Sequence, residues 1–222
     1  LSAMLTRGKP IRDVLVINPV ESVWGLFTTS NTDDTKLIGQ LQESLRILIF
    51  TLSGLHYDWD FGEEQILADN AKVSDSTLKV GKQKYRVVIV PPCLTLRSST
   101  VQLLTRFIEK GGKVLFVGRK PDRIDAKPDE SINRLIELSD ACEEQPDEYV
   151  ARLESLEPRR VSITGPNGEA DFIWYMLREI KGGRLLFIQS HDRQNSHTVH
   201  VNVEGSRPVV MWDALSGERN LM

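Results

Sequence analysis

Three short apolar runs and one alternating stretch set the pattern of this chain. Val14–Ile17, Arg86–Val90 and Lys113–Val117 are hydrophobic runs, and the second is closed by Pro91-Pro92. Runs of this length predict strands buried on both faces. His56–Phe61, with Tyr-Asp-Trp-Asp at its centre, alternates in the strand manner and predicts a shorter strand. Between them, Leu37, Leu41, Leu45, Leu48, Ile49 and Leu52 fall at helical spacing, with Asp33 or Asp34 as the cap and Gly54 as the stop. Val101, Leu104, Phe107 and Ile108 line a second helix, opened by Ser98–Thr100 and ended by Gly111-Gly112. Glu63–Ala68 predicts a helical turn, and Leu78–Lys84 a small hairpin or turn. Residues 131–157 are charged, and Ile132, Leu135, Ile136 and then Tyr149, Leu153, Leu156 predict helices.

Strand–helix–strand alternation at this spacing implies right-handed crossovers and a parallel sheet. The expected fold is α/β over residues 11–157, a flavodoxin-like parallel sheet with helices on both faces. After Pro158 the pattern changes. Val161–Thr164, Asp171–Ile180, Arg184–Gln189, Thr198–Val203 and Pro208–Asp213 are short runs separated by Gly-rich turns. Val199, Val201 and Val203 alternate with His200 and Asn202, as in a half-buried antiparallel strand. Residues 158–222 are therefore expected to form an antiparallel β domain, too short for a complete sandwich.

The bulk properties narrow the function classes. The chain has 222 residues and a net charge of −3, which leaves no electrostatic footprint for nucleic acid. No apolar run reaches the length of a membrane span. Cys93 and Cys142 make neither a metal spacing nor a disulfide framework. No nucleic-acid or membrane partner, no cofactor and no metal are expected. The compartment stays open between cytoplasmic and exported.

In open parallel sheets ligands gather at the carboxyl ends of the strands. Four segments are expected there: Asn18–Trp24, Asp58–Glu64, Pro91–Leu94 and Gly118–Lys120. Glu21 and Trp24 pair a carboxylate with an indole. That pairing suits a sugar, whose hydroxyls meet the carboxylate and whose C–H face meets the ring; equally, Trp24 can pack between domains and Glu21 can cap the turn. Asp58, Asp60, Glu63 and Glu64 crowd around Trp59. Facing carboxylates could do glycosidase acid/base work, whereas a solvated strand end and a helix N-terminus would hold the same residues. Cys93 follows the third strand but lacks the glycines of a nucleophile elbow and a His base, so it reads as a buried thiol. His197 and His200 point to opposite faces of a strand, and clustering with His191 would be needed to hold a metal. Gly118-Arg-Lys-Pro has no phosphate cradle.

The order of several motifs resembles a region of large bacterial glycoside hydrolases of the α-L-rhamnosidase type. The residues are Val16-Ile-Asn-Pro-Val-Glu-Ser-Val-Trp24, Tyr57-Asp-Trp-Asp-Phe-Gly-Glu-Glu64, Leu78–Gly81, Tyr85–Pro92, Phe107–Val114 and the Trp212-Asp-Ala-Leu-Ser-Gly217 turn. The resemblance implies a class I glutamine amidotransferase-like α/β domain that follows a catalytic (β/α)-barrel and precedes a β-rich domain. It further implies that the catalytic carboxylates belong to a barrel of the same polypeptide outside this chain, and that no residue here is catalytic. Glu21, Ser22 and Trp24, with Asp58, Trp59, Asp60 and Glu63, are the expected rim residues of a carbohydrate site. The pattern departs at Asn18, where the resemblance leads one to expect histidine. The expected function is a non-catalytic accessory fragment of a glycoside hydrolase acting on plant or microbial polysaccharide. The alternative is a stand-alone hydrolase or carbohydrate-binding module with its site at the carboxyl ends of the strands.

Overall fold

The computed structural model describes residues 5–27, 32–205, 208–213 and 216–221. A short strand β1 (Lys9–Pro10) precedes β2 (Val14–Ile17), whose four apolar residues are all buried. Helix α1 (Val20–Leu26) and the long α2 (Thr32–Gly54) follow, then β3 (Trp59–Gly62) and α3 (Glu64–Asn70). A meander of β4 (Ala71–Ser74), β5 (Thr77–Val80) and β6 (Gln83–Tyr85) leads into β7 (Val87–Val90). The chain continues through β8 (Thr95–Leu96), α4 (Ser98–Glu109), β9 (Lys113–Val117), β10 (Arg123–Ile124), β11 (Lys127–Pro128), α5 (Ile132–Leu138), β12 (Asp140–Cys142) and α6 (Pro146–Leu156).

Five strands form one parallel sheet in the order β12-β9-β7-β2-β3. Counted by their order in the chain, these are strands 5-4-3-1-2, so the order reverses beside β2. Side chains alternate across the sheet, and each face is covered by helices. Leu15, Ile17, Val88, Val90, Val114 and Phe116 pack against α3, α4, α5 and the meander. Val14, Val16, Val87, Ile89, Leu115 and Val117 pack against α2 and α6. Full burial of each such side chain contributes about 1.5–3 kcal/mol. A third cluster, Leu26, Leu41 and Leu94, seats α1 and α2 over the carboxyl end of the sheet.

Gly112 shows why the helix–strand corner is tight. A Cβ on Gly112 would come within 2.2 Å of the Phe107 ring, which is fully buried beneath it. Gly111 takes φ 85°, a conformation side chains other than glycine's rarely adopt.

The remaining chain is antiparallel: β13 (Val161–Gly165), β14 (Gly168–Glu169), β15 (Ile173–Ile180), β16 (Gly183–Ser190), β17 (His200–Val203), β18 (Val210–Trp212) and β19 (Arg219–Leu221). β15 and β16 form a hairpin in register from Ile173 opposite Ser190 to Ile180 opposite Gly183. Its turn glycine, Gly182, has φ 89°. The sheets β1-β15-β16 and β14-β13-β17 share a core of Val161, Ile163, Ala170, Ile173 and Leu177.

Several expectations change. Val20–Leu26 is a helix, where a turn after the first strand was expected. The second strand starts at Trp59, not His56. The hairpin expected at Leu78–Lys84 is part of a three-stranded meander from Ala71 to Tyr85, and Arg86 separates it from β7. Residues 131–157 hold two helices with the fifth parallel strand between them. β1 pairs with β15, Lys9 opposite Glu179, so the start of the chain is stitched to the antiparallel part.

Candidate functional site

The carboxyl end of the sheet brings together α1, the start of α3 and the segment after β7. Ser22 is 1% exposed, and its Oγ accepts hydrogen bonds from the amides of Leu94 at 2.9 Å and Thr95 at 3.3 Å. It therefore holds the Pro91–Thr95 segment down rather than presenting a hydroxyl to solvent. Glu21 is ion-paired with Arg97, whose guanidinium also reaches Gln65. The Arg97 amide donates to Glu64 Oε2 at 2.8 Å. Glu64 is buried, and burial pushes its carboxyl above the ordinary range while the Thr100 hydroxyl and the Arg97 amide pull against that. Glu63 stands at the N-terminus of α3. Trp24 is left 63% exposed and Phe27, just past the same helix, 74% exposed. Among the described residues the Trp24 side of α1 is thus apolar and uncovered, while Glu21 and Ser22 on the same helix are already partnered.

The carboxylates around Trp59 do not form one cluster. β3 runs parallel to β2 with Trp59 opposite Val14 and Gly62 opposite Ile17, so Asp58 and Asp60 lie toward the amino end and Glu63 toward the carboxyl end. At about 3.3 Å per residue, Asp58 and Glu63 are separated by on the order of 16 Å along the strand. Arg12 joins the first two, its Nε to Asp58 at 2.9 Å and its Nη1 to Asp60 at 2.8 Å. Tyr85 donates its hydroxyl to Asp60 Oδ2 at 2.9 Å. Asp58 keeps a buried Oδ2 with no partner among the described residues. Burial pushes its carboxyl up to about 6, although Arg12 pulls the other way.

Beside Asp58 lies a cavity of about 180 Å³, lined by Ser53, Tyr57, Asp58, Trp59, Trp174 and Tyr175. It opens between the end of α2, the start of β3 and the β15–β16 hairpin. Trp59 donates its indole N–H to Ser53 Oγ at 3.2 Å. The Tyr175 hydroxyl accepts from the Asp58 amide at 3.2 Å. Tyr57 donates to Glu154, and burial together with that bond raises its phenol. Trp174 lies against Phe50 and His191, with ring centroids 5.7 and 4.2 Å apart.

The other candidates resolve on geometry. Cys93 is fully buried, and burial pushes its thiol well above the ordinary range, so it is no thiolate nucleophile. It is also absent from the positive-φ positions that mark a strained elbow. His197 sits outside the strand, with Nε2 2.6 Å from Asp192 Oδ2, and His191 packs on Trp174 instead of joining it. Among the described residues no group of three His, Cys, Asp or Glu is placed to hold a metal ion.

Sequence reasoning missed Arg12, Arg97, Trp174 and Tyr175. Arg12 and Arg97 carry no periodic signal, and their roles depend on partners 32 to 76 residues away. Trp174 and Tyr175 read as ordinary strand residues; only the folding of β15 onto α2 brings them to Trp59. Buried His56 was missed too: it takes φ 62°, and its Nδ1 accepts the Ile163 amide at 3.3 Å.

No protein-family model matches this sequence, and no curated protein matches it. Solved structures do. A rhamnosidase from Novosphingobium sp. PP1Y is similar over 99% of this chain, with a TM-score of 0.66 at 14% identity. An apo exo-carrageenase from Bacteroides ovatus is similar over 98%, with a TM-score of 0.56 at 10% identity. The chain spans 21% of the length of the first and 28% of the second. At these identities the likeness is one of fold. The 222 residues thus have the fold of a segment found within much larger glycoside hydrolase chains.

Proposed function

We propose that this chain is a non-catalytic accessory region of a glycoside hydrolase acting on plant or microbial polysaccharide. In this reading it docks through the Trp24–Phe27 surface on a catalytic barrel of the same polypeptide. The observation that carries the reading is the coverage: 99% of this chain against 21% of the rhamnosidase. The state of the local chemistry supports it. Glu21 is held by Arg97, Asp58 and Asp60 share Arg12, and Cys93 is buried. A site that must gain and lose protons needs a carboxylate pair facing a substrate, and these carboxylates face arginines. The exposed Trp24 and Phe27 suit a packing surface with a sugar-facing rim.

We infer in addition a flavodoxin-like, amidotransferase-like fold for the parallel sheet. Reversal of strand order beside β2, in the sequence 2-1-3-4-5, is the flavodoxin-like order. It supports the amidotransferase-like reading, with the amidotransferase chemistry lost at Cys93.

The test is a purified-protein assay against a panel of aryl glycosides. The expected result is no turnover by this chain. Turnover that survives repurification and disappears in Asp60→Ala or Glu63→Ala would overturn the proposal.

A further inference from the structure

We propose that the cleft lined by Trp59, Trp174, Tyr175 and Asp58 binds one neutral sugar ring, with Asp58 and Tyr175 meeting its hydroxyls and the aromatic rings its C–H face. This site lies at the amino end of the parallel sheet, away from the Trp24–Phe27 surface. It rests on the accessory reading only for the choice of sugars as ligands.

Size comes first. The cavity measures about 180 Å³. That is many times the roughly 10–15 Å³ needed to admit one water on the same kind of measure. It is well under the roughly 300–1,000 Å³ of sites for larger ligands. One ring fits that volume; an oligosaccharide does not.

The lining chemistry points the same way. Four aromatic side chains and one carboxylate make up most of the wall. Aromatic side chains with a polar tip offer an apolar face and a hydrogen-bonding group together, and a pyranose presents the complementary pair. Among the described residues Asp58 Oδ2 is buried without a donor. A buried acceptor left unmatched costs about 1–3 kcal/mol; Oδ2 has almost no accessible surface, so a ligand hydroxyl would supply the missing proton after a small turn of the Asp58 side chain. The Tyr175 oxygen already accepts the Asp58 amide, which leaves its O–H to donate. Trp174 is positioned by its contacts with Phe50 and His191.

A cage of aromatic rings beside a carboxylate can also hold a quaternary ammonium ion. Here the guanidinium of Arg12 already lies 2.9 Å from Asp58. A second cation would sit beside the first, so a neutral ligand is favoured.

The test titrates the whole chain, labelled with nitrogen-15, with L-rhamnose, D-galactose and choline, following the indole N–H resonances. The expected result is a saturable shift of the Trp59 and Trp174 indoles with a sugar, at a Kd on the order of millimolar, the Trp59 indole serving as the readout in the variants. Trp174→Ala and Asp58→Asn should each weaken it by about tenfold or more, and Trp212→Phe should leave it unchanged. Asp58→Asn keeps the outcome readable if Trp174→Ala disturbs the hairpin. No saturable shift with either sugar overturns the site and leaves the accessory reading standing. A shift with choline but no sugar overturns the ligand class. Sugar binding accompanied by glycoside turnover removes the accessory reading and supports the site.

Discussion

Replacing Asp58 by asparagine should stabilise this protein at neutral pH. A free aspartate titrates at 3.8, and burial raises Asp58 to about 6 in the folded chain. The folded state therefore holds a proton that the unfolded chain has released over this window. Stability from this group is complete below 3.8 and is lost as pH rises through about 6. At about 1.4 kcal/mol per tenfold change in proton affinity, the gap amounts to about 3 kcal/mol at neutral pH. Asparagine keeps the shape and an oxygen for the Arg12 Nε–H bond but carries no charge to desolvate. Asp60 still balances Arg12 at 2.8 Å. Urea denaturation of both proteins, with midpoints and slopes compared, should show the D58N variant more stable by up to about 3 kcal/mol at about pH 7.5 and nearly level at about pH 4. A variant less stable at neutral pH, or a gain equal at both values, would refute the reasoning. The result also bears on the cleft: a residue kept at a cost to stability is expected where function uses it.

Three further outcomes follow from the packing. Ser22→Ala removes the acceptor of two amides and should cost about 1–3 kcal/mol, read as a lower Tm; an unchanged Tm would contradict the buried role of its hydroxyl. Gly112→Ala drives a methyl group into the Phe107 ring and should destabilise by about 1–3 kcal/mol, where a neutral result would mean the corner relaxes freely. Iodoacetamide should label half-buried Cys142 before fully buried Cys93, which should react only once denaturant is added. Equal labelling rates in the native protein would refute that order.

The parallel strands were legible because burial on both faces leaves a continuous apolar run. Val14–Ile17, Arg86–Val90 and Lys113–Val117 read directly, the second run beginning one residue later, at Val87, in the structure. The fifth strand, Asp140–Cys142, was not legible, because an edge strand between charged segments needs no such run. Helix α2 was readable to its last residue, since its leucines keep one face and Gly54 ends it. Helix α1 was hidden, because seven residues give too little periodicity to show it. The candidate site fared less evenly. Glu21, Ser22 and Trp24 do come together at the carboxyl end, but only their partners reveal that Ser22 is a brace and Glu21 half of an ion pair. Asp58 and Glu63 are close in sequence but lie at opposite ends of a strand. Local spacing could not show this without knowing where the strand begins.

The central proposal is that α1 meets a neighbouring domain of one larger polypeptide. Hydroxyl-radical footprinting tests it most directly, with this chain alone compared with a longer protein in which it is joined to the proposed catalytic barrel. Trp24 and Phe27 should be heavily oxidised in the isolated chain and protected in the longer protein, with Trp212 serving as the reference side chain. Equal oxidation of Trp24 and Phe27 in both would contradict the account.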